Sequence, residues 1–382
     1  MTAFLAAHGI IFLYLLVRLV LPLRTPGWLK GVIALILLLI SQQYLVRFAL
    51  GNLGSPEMPA ALLMLQGGSF AAVLIMFVLV ALTDLAVLVR FVFRRKNRDR
   101  RRFYKEKSFS PGRRLALTAL LGAIPAAYGV RQAVAIPGVN RTEARIPRLP
   151  AELDGLTLVQ ITDLHASALL QKGWVDAVVD AAAGLDADVI FFTGDMVDGE
   201  LSRRSAALDS LGRLRARLGV YGCVGNHEYY SGFADWTGRF SALGVTMLLN
   251  SHALIPVGGA TMAIAGLTDM VAKDFGLPLP DRAAALSGVP RDAFRIMLDH
   301  RPTNALLNAE AGVDLQLSGH THGGHALGMD RLVGRFNGGF VRGWYTVDGM
   351  ALYVSSGAGL WNGFPIRLGV PSEIAHMTLR RA

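Results

Sequence analysis

Five short polar clusters in the second half of the chain carry side chains that can bind metal ions. The clusters are Thr162-Asp163-Leu164-His165, Gly194-Asp195-Met196-Val197-Asp198, Gly225-Asn226-His227-Glu228, Asp299-His300-Arg301 and Gly319-His320-Thr321-His322. Each follows a run of apolar residues with the length of a buried strand. Side chains at the carboxyl ends of strands in an open sheet converge on one crevice. We therefore expect the five clusters to form a single site.

Each cluster alone could be explained as an ordinary turn or a buried core residue. The presence of five such clusters, each after a predicted strand, favours a shared function. A lone histidine beside an apolar strand is usually a buried core residue, and Gly-Asp is a common turn. The adjacent amide and imidazole of Asn226 and His227 contribute little to packing at a strand end. Six of the nine histidines lie in the clusters or directly beside them. The sequence therefore favours a metal site over five unrelated turns.

The donor types indicate which ions the site holds. The candidate ligands are Asp163, His165, Asp195, Asn226, His300, His320 and His322. Carboxylate, imidazole and amide donors without a thiolate suit Mn, Fe or Zn. Seven donors exceed what one tetrahedral ion uses, so we expect two divalent ions, about 3.5–4 Å apart, that share a carboxylate. Such a pair can clamp a phosphoryl group and activate a bridging water for attack at phosphorus. We interpret Cys223, the only cysteine, as a thiol packed in a buried strand.

Short apolar runs and amphipathic stretches alternate after Pro137, which is typical of an α/β layered domain. Strands are predicted at 157–161, 189–193, 220–224, 262–265, 295–298, 314–317, 351–355 and 373–379. Helices are predicted at 174–183, 203–217, 235–243 and 303–309. We interpret 151–382 as the catalytic domain and 137–150 as a linker.

The first 136 residues have the composition of an all-α transmembrane region. The apolar excess of the chain, with 52% hydrophobic and 17% charged residues, is concentrated there. Segments 3–21, 29–50 and 60–93 are each apolar enough to span a bilayer, and 115–136 is a weaker fourth candidate. Arg18, Arg47 and Asp84 lie towards span ends, where their charges can reach the interface. We therefore expect three to four membrane helices.

A basic block between the apolar segments indicates membrane orientation. Residues 94–102, within a basic loop at 90–114, contribute a large share of the net charge of +10. A nucleic-acid partner is the less favoured explanation, because the block is wedged between spans. The first and third connectors are basic, and the second, at 51–59, has no Lys or Arg, which predicts an amino terminus outside the cytoplasm. The catalytic domain is then extracytoplasmic if 115–136 crosses the membrane. It is cytoplasmic if that segment lies in the interface.

The motifs Asp163-x-His165, Gly194-Asp195, Gly225-Asn226-His227-Glu228, His300 and Gly319-His320-x-His322 resemble those of the calcineurin-like metallophosphoesterases. The carboxyl-terminal segment from Ser355 to Ile374 is similar to the membrane-attached branch, which includes bacterial exported and transmembrane members. The resemblance implies a four-layer αββα sandwich of two sheets flanked by helices. It also implies a multi-pass protein of the bacterial inner membrane.

The resemblance assigns roles to individual residues. Asp163, His165 and His322 are expected to bind one ion, and Asn226, His300 and His320 the other. Asp195 is expected to bridge the two ions. His227 is expected to protonate the leaving oxygen as a general acid. By position, the candidates for the substrate pocket are Asp198, Tyr229, Arg301, His325 and Arg367, with Trp361 and Asn362 nearby.

The function expected on these grounds is hydrolysis of a phosphodiester or pyrophosphate bond, in a lipid-linked or cell-envelope substrate. One alternative is a pyrophosphatase of the type that acts on UDP-2,3-diacylglucosamine in lipid A synthesis, which requires a cytoplasmic site. An alternative of another class is a catalytically silent metal-binding sensor. Loss of a ligand or of the acid histidine would indicate a sensor, and the sequence lacks none of them.

Overall fold

A computed structural model describes residues 2–45, 55–93 and 110–382. The chain divides into two compact units. One contains residues 1–56 and 60–131, and the other contains residues 57–59 and 132–382. Two features singled out in the sequence, Arg47 and the basic block at 94–102, lie outside the described residues.

The first unit is helical. Its helices are α1 (Thr2–Leu15, continued by a π-helical turn, Leu16–Val20), α2 (Gly27–Ser41), α3 (Ala60–Phe93) and α4 (Pro111–Ala133). Among the described residues, one helix is long and apolar enough to cross a membrane, over Ala60–Arg90. The apolar stretches Ala6–Val20 and Gly27–Ser41 are shorter. Four helices thus occupy the four apolar segments, and one of them meets the length and composition of a span.

Arg18 and Asp84 are paired within the first unit instead of reaching the interface separately. The Arg18 guanidinium donates hydrogen bonds to both carboxylate oxygens of Asp84, at 2.6 and 2.5 Å. Tyr14 donates a third at 2.6 Å, and Arg114 approaches to 3.3 Å. Since a charge in an apolar region is costly unless paired, this contact lets α1, α3 and α4 carry ionised residues on apolar helices.

The second unit contains two six-stranded sheets. The first has the order β1-β12-β2-β3-β4-β5 and the second β10-β11-β9-β8-β7-β6. The strands are β1 (Gly138–Ile146), β2 (Thr157–Ile161), β3 (Val189–Thr193), β4 (Val220–Cys223), β5 (Thr246–Met247), β6 (Ser251–Val257), β7 (Ala260–Gly266), β8 (Phe294–Leu298), β9 (Leu315–Ser318), β10 (Gly343–Val347), β11 (Met350–Val354) and β12 (Glu373–Arg381). Strands β2, β3 and β4 are parallel, and so are β7, β8 and β9. Each sheet therefore has several strands that end at the same edge.

The helices of this unit connect the strands. They are α5 (Lys172–Ala183), α6 (Leu201–Arg204), α7 (Asn226–Ser231), α8 (Phe233–Ala242), α9 (Arg282–Ala285), α10 (Ala305–Glu310) and α11 (Asp330–Phe336). Helix α5 forms because its apolar residues recur at helical spacing, and it buries Val175, Val178, Val179 and Ala182.

Alternate residues of the central strands face opposite layers. In β3, Val189 and Phe191 join a core that also contains Ile264 and Ile296 of the second sheet. Ile190 and Phe192 face a separate core that contains the buried face of α5. A third core covers the outer face of the second sheet with residues of α9 and α10. These three cores separate four layers, so the predicted αββα sandwich is confirmed.

A predicted linker and a predicted helix are among the sequence interpretations that differ from the structure. The predicted linker at 137–150 contains β1, which pairs in parallel with β12 along nine residues at the edge of the first sheet. The predicted helix at 203–217 is a series of short turns, α6 followed by 3-10 turns at Ser205–Ala207 and Asp209–Arg213. Both differences concern the periphery of the sandwich, and the central strands lie where the sequence placed them.

Candidate metal centre

The predicted metal ligands meet at one edge of the two sheets. Asp163 and His165 follow β2, Asp195 follows β3 and Asn226 follows β4. From the second sheet, His300 follows β8, and His320 and His322 follow β9. Parallel strands direct these segments to the same end, where the carboxyl ends of strands commonly form binding crevices.

The ligand atoms form two groups. Asp163, His165 and His322 make one, and Asp195, His300 and His320 make the other, while a further possible set of His165, Asp195 and His227 overlaps both. Within each group the donor atoms all lie within 4.8 Å of one another. The groups adjoin, since His165 Nε2 is 3.9 Å from both Asp163 Oδ1 and Asp195 Oδ2. Asn226 is the first residue of α7, beside Asp195. The arrangement has the form of two adjacent ion sites.

In the first group the spacing of these atoms fits a divalent ion better than direct hydrogen bonds, whereas in the second group His300 Nε2 lies 3.0 Å from Asp195 Oδ2. The separations of 3.9 Å and the 3.5 Å between His322 Nε2 and Asp163 Oδ1 are too long for hydrogen bonds. Atoms that bind one ion, each about 2.0–2.2 Å from it, lie at such separations. His165 Nε2 is buried and has no hydrogen-bond partner. A buried imidazole nitrogen facing two carboxylates is therefore available to a cation.

The second nitrogen of His165 and of His300 is held by a neighbour. His300 Nδ1 lies 2.8 Å from the carbonyl oxygen of Thr193, and His165 Nδ1 lies 3.2 Å from Asp198 Oδ1. An Nδ1–H bonded in this way leaves Nε2 with the lone pair that a metal needs. These contacts orient both rings towards the site.

Burial and charge act in opposite directions on the site residues. Burial would raise the pKa of Asp195, but the neighbouring His300 and His227 hold that pKa well below its usual range. Burial would lower the pKa of His300, but the Asp195 carboxylate raises it to about 10. His320 and His322 lie beside other cations, and burial lowers the pKa of both well below the usual value. The site thus concentrates carboxylate charge that cations must balance.

The backbone at the site is strained. A positive φ is uncommon for residues with a Cβ atom. The site residues that adopt one are Asp163, His165, Asp195, His320, His322 and His325, with φ between 47° and 70°. Such conformations persist only where the surrounding structure enforces them, and they cluster at functional sites.

Two glycines allow close approach to the carboxylates. A Cβ atom on Gly225 would lie 2.2 Å from Asp195 Oδ1, and one on Gly319 would lie 2.1 Å from Asp163 Oδ2. No side chain fits at either position, because real Cβ contacts below 3.0 Å essentially never occur. These glycines explain why the ligands occur in Gly-Asn-His and Gly-His motifs.

Glu228 organises the backbone around Asp195. Its buried carboxylate accepts hydrogen bonds from the backbone N–H groups of Asp195, Met196 and Gly225, at 3.0, 2.7 and 2.7 Å. These donors lie on the loops that follow β3 and β4. One carboxylate therefore ties together the two loops that carry Asp195 and Asn226.

We expect Glu228→Ala to lower the free energy of unfolding by about 3 kcal/mol, because three buried N–H donors lose their acceptor. Urea denaturation of the variant measures this loss. Glu200→Ala, at an exposed position, is the control and should change stability by less than about 0.5 kcal/mol. A Glu228→Ala protein as stable as the parent would contradict this role.

His227 and Asp198 form a pair beside the ligands. His227 Nδ1 lies 2.6 Å from Asp198 Oδ1. The backbone N–H of His227 donates to Asp195 Oδ1 at 2.8 Å. Burial would lower the pKa of His227, but Asp195 and Asp198 raise it to about 9. Burial would raise the pKa of Asp198, but His165 and His227 hold it at about 2. His227 is therefore protonated near neutral pH and able to donate a proton.

The proposed pocket residues occupy different environments. Asp198 is buried behind His165 and His227, so it orients them and does not line a pocket. Tyr229 is also buried, with its ring stacked on Phe233 at 4.6 Å. His325 is half-buried, with its ring centroid 5.0 Å from that of His322. Arg301 is partly exposed beside the second ligand group.

Arg367 is the largest departure from the pocket interpretation. Its side chain is fully buried, and it donates to the carbonyl oxygens of Ser356 at 2.7 Å and Gly359 at 2.8 Å. The loop that it supports passes Asp163, because the Gly359 N–H donates to the Asp163 carbonyl at 2.8 Å. Arg367 therefore braces the loop beneath the first ligand group and is not accessible to a substrate.

Two residues near the site were not identified from the sequence. Tyr230, half-exposed, lies with its ring 5.3 Å from that of His227. Asp269 pairs with Arg301 at 2.6 Å. Asp269 follows the end of β7, the same signal that identified the other clusters, and could have been found from it. The sequence carries no signal for choosing Tyr230 over the adjacent Tyr229.

Comparison with known proteins identifies the family. Residues 156–324 match the family model described as calcineurin-like phosphoesterase. The chain contains a calcineurin-like metallophosphoesterase domain. The match covers β2 to the turn after β9, and so includes every ligand of both groups. The resemblance inferred from the five motifs is confirmed.

Similar proteins include membrane and uncharacterised metallophosphoesterases. The transmembrane protein with metallophosphoesterase domain of Danio rerio is 31% identical over 278 residues, which are 71% of this chain and 63% of that protein. An uncharacterised metallophosphoesterase of Helicobacter pylori strain J99 is 32% identical over 66% of each chain. The uncharacterised YkuE of Bacillus subtilis is 28% identical over 70% of this chain and 97% of its own. The chain thus spans slightly less than two thirds of the first two relatives.

Proposed function

We propose that this chain hydrolyses a phosphodiester or pyrophosphate bond with the help of two divalent ions. The observation that carries the proposal is the pair of adjoining ligand groups next to His227, whose Nδ1 lies 2.6 Å from Asp198 Oδ1. Bound ions of this kind supply Lewis acidity and lower the pKa of a coordinated water. The donor set of carboxylate, imidazole and amide groups fits Mn, Fe or Zn.

The residues around the ions have separable roles in this proposal. Asp163, His165 and His322 hold one ion, Asn226, His300 and His320 hold the other, and Asp195 contributes to both. His227 donates a proton to the leaving oxygen, and Asp198 keeps its ring oriented through the 2.6 Å contact at Nδ1. The supporting geometry is that the backbone N–H of His227 donates to Asp195 Oδ1 at 2.8 Å while Asp198 holds the His227 ring.

The proposal is tested with purified protein and bis-p-nitrophenyl phosphate. Protein loaded with Mn²⁺ should release p-nitrophenol, and removal of the ion with a chelator should abolish turnover. Turnover that survives exhaustive chelation, or its absence in protein shown to contain two ions per chain, would contradict the proposal. Turnover would also exclude the silent-sensor alternative.

We further propose that the substrate is lipid-linked and that the chain is a multi-pass protein of the bacterial inner membrane with an extracytoplasmic site. Support comes from the names of membrane relatives and from the apolar helix Ala60–Arg90. A fluorescent reporter fused after Ala382 that folds only in the cytoplasm should stay dark. Fluorescence would instead favour the lipid A pyrophosphatase alternative, which needs a cytoplasmic site.

A further inference from the structure

Arg301 lies at the outer edge of the second ligand group. Its Nε donates to Asp269 Oδ2 at 2.6 Å, and this carboxylate is 1% exposed. The Arg301 side chain is itself 26% exposed, so one side of the guanidinium faces solvent. Asp269 is held in turn, because its Oδ1 accepts a hydrogen bond from the Val271 N–H at 2.8 Å. The guanidinium is therefore fixed at Nε by Asp269.

Both terminal nitrogens contact predicted metal ligands. Nη1 lies 3.1 Å from His320 Nε2, and Nη2 donates to Asn226 Oδ1 at 3.0 Å. An arginine only donates hydrogen bonds, so His320 Nε2 must present its lone pair to Nη1. In a neutral imidazole only one nitrogen carries a lone pair in the ring plane.

The contact between Arg301 and His320 is incompatible with a metal bound to His320. If the ion binds Nε2, it takes the lone pair that Nη1 uses. If it binds Nδ1, the remaining proton sits on Nε2 and faces the Nη1 donor. Asn226 Oδ1 has two lone pairs, so it can accept the hydrogen bond from Nη2 and bind an ion at the same time. Metal loading thus frees Nη1 while Nε and Nη2 stay held.

We propose that the freed Nη1 of Arg301 binds a non-bridging phosphoryl oxygen of the substrate and of the phosphate product. A guanidinium beside two divalent ions is unfavourable unless an anion lies between them, and a phosphoryl group supplies that charge. Arginine suits this contact because its planar fork matches phosphate oxygens. Arg301 would then be a substrate-binding residue. In the metal-free protein its Nη1 is held by His320, one of the predicted metal ligands. The inference rests on the proposed phosphoesterase function.

The test measures the binding of phosphate to the protein, independently of turnover. In titration calorimetry with inorganic phosphate, the Mn²⁺-loaded Arg301→Met protein should bind phosphate about 10- to 100-fold more weakly than the parent, the range expected for one hydrogen bond to a charged group. Arg301→Lys, which keeps the charge, should recover part of that affinity. Arg217→Met is the matched control, since Arg217 also donates from Nε to an aspartate, Asp188, and should leave phosphate affinity unchanged.

A second measurement separates substrate binding from a structural role. Because Arg301 competes for the His320 lone pair, Arg301→Met should bind Mn²⁺ in the absence of phosphate as tightly as the parent or more tightly. Weaker Mn²⁺ binding, or unchanged phosphate affinity in a fully loaded variant, would overturn the inference. If the parent binds phosphate through Arg301 but hydrolyses no ester, the inference stands and the proposed function fails. If the parent hydrolyses esters and Arg301→Met binds phosphate normally, the inference alone fails.

Discussion

Replacing Asp195 with asparagine should lower kcat with Mn²⁺ by about 10²–10³-fold, the scale on which loss of one preorganised charge-stabilising group acts. Asp195 belongs to one ligand group and lies 3.9 Å from His165 of the other. An amide has nearly the same shape and keeps an oxygen for the His227 N–H. It carries no charge to balance two cations. The loss should therefore appear in metal content and in turnover, with little change in fold.

Mass spectrometry of bound metal, together with kcat for bis-p-nitrophenyl phosphate, provides the measurement. Thermal unfolding of the metal-free protein shows whether the fold survives. Asp180→Asn, at an exposed position of α5, serves as the control and should retain both ions and full turnover. An Asp195→Asn enzyme with two bound ions and unchanged kcat would show that Asp195 is not shared by the two sites.

Replacing His227 with alanine should lower kcat by about 10²–10⁴-fold for esters with poor leaving groups. Esters of acidic phenols such as p-nitrophenol should lose much less, because their leaving oxygen departs without a proton. Across a series of aryl phosphodiesters, the variant should therefore depend more steeply on the pKa of the leaving phenol. Equal losses for all leaving groups would contradict a role as general acid.

The same histidine predicts a pH dependence. Since its pKa is raised to about 9, His227 is protonated at neutral pH and loses its proton as the pH rises through that value. For poor leaving groups, kcat of the parent should fall as the pH passes about 9, and the alanine variant should lack this limb. Asp198, with a pKa of about 2, stays ionised throughout. Stopped assays across pH 6–10.5 provide the measurement.

The central strands were predictable because they are buried on both faces. The run Val189–Thr193 is continuously apolar up to its last residue, which is typical of a parallel strand between two layers. Strand β1 was missed because Asn140, Arg141 and Glu143 give it the composition of a linker. It lies at the sheet edge with most residues exposed, so hydrophobic pattern does not mark it. Strands β6 and β10, at the two edges of the second sheet, were not predicted either.

The segment at 203–217 was mistaken for a helix because of its leucines. Leu208, Leu211 and Leu214 are all buried, and they recur every three residues. A spacing of three matches a 3-10 turn, which has three residues per turn, as well as one face of an α-helix. This spacing alone therefore does not distinguish a 3-10 turn from an α-helix. Gly212 lies in the segment and disfavours an α-helix there. The structure shows turns instead.

The convergence of the predicted ligand residues was predictable, and the burial of most proposed pocket residues was not, for a common physical reason. A polar side chain directly after a buried strand has a strong functional explanation, which identified Asp163 and His300. Whether a side chain then faces the crevice or the core depends on tertiary packing. Arg367 shows this best, since a fully buried arginine held by carbonyl oxygens is the opposite of what its charge suggests.

The left-handed backbone at the ligand positions makes the activity easy to lose over generations. Each such residue costs about 1–2 kcal/mol relative to a right-handed conformation, and glycine avoids most of that cost. A descendant that replaced His322 with glycine would lose a ligand of the proposed metal site and would avoid this backbone cost. Only continued selection for turnover opposes such drift, and the reverse step is energetically uphill. Inactive descendants of this fold should therefore accumulate glycine where their ancestors held an ion.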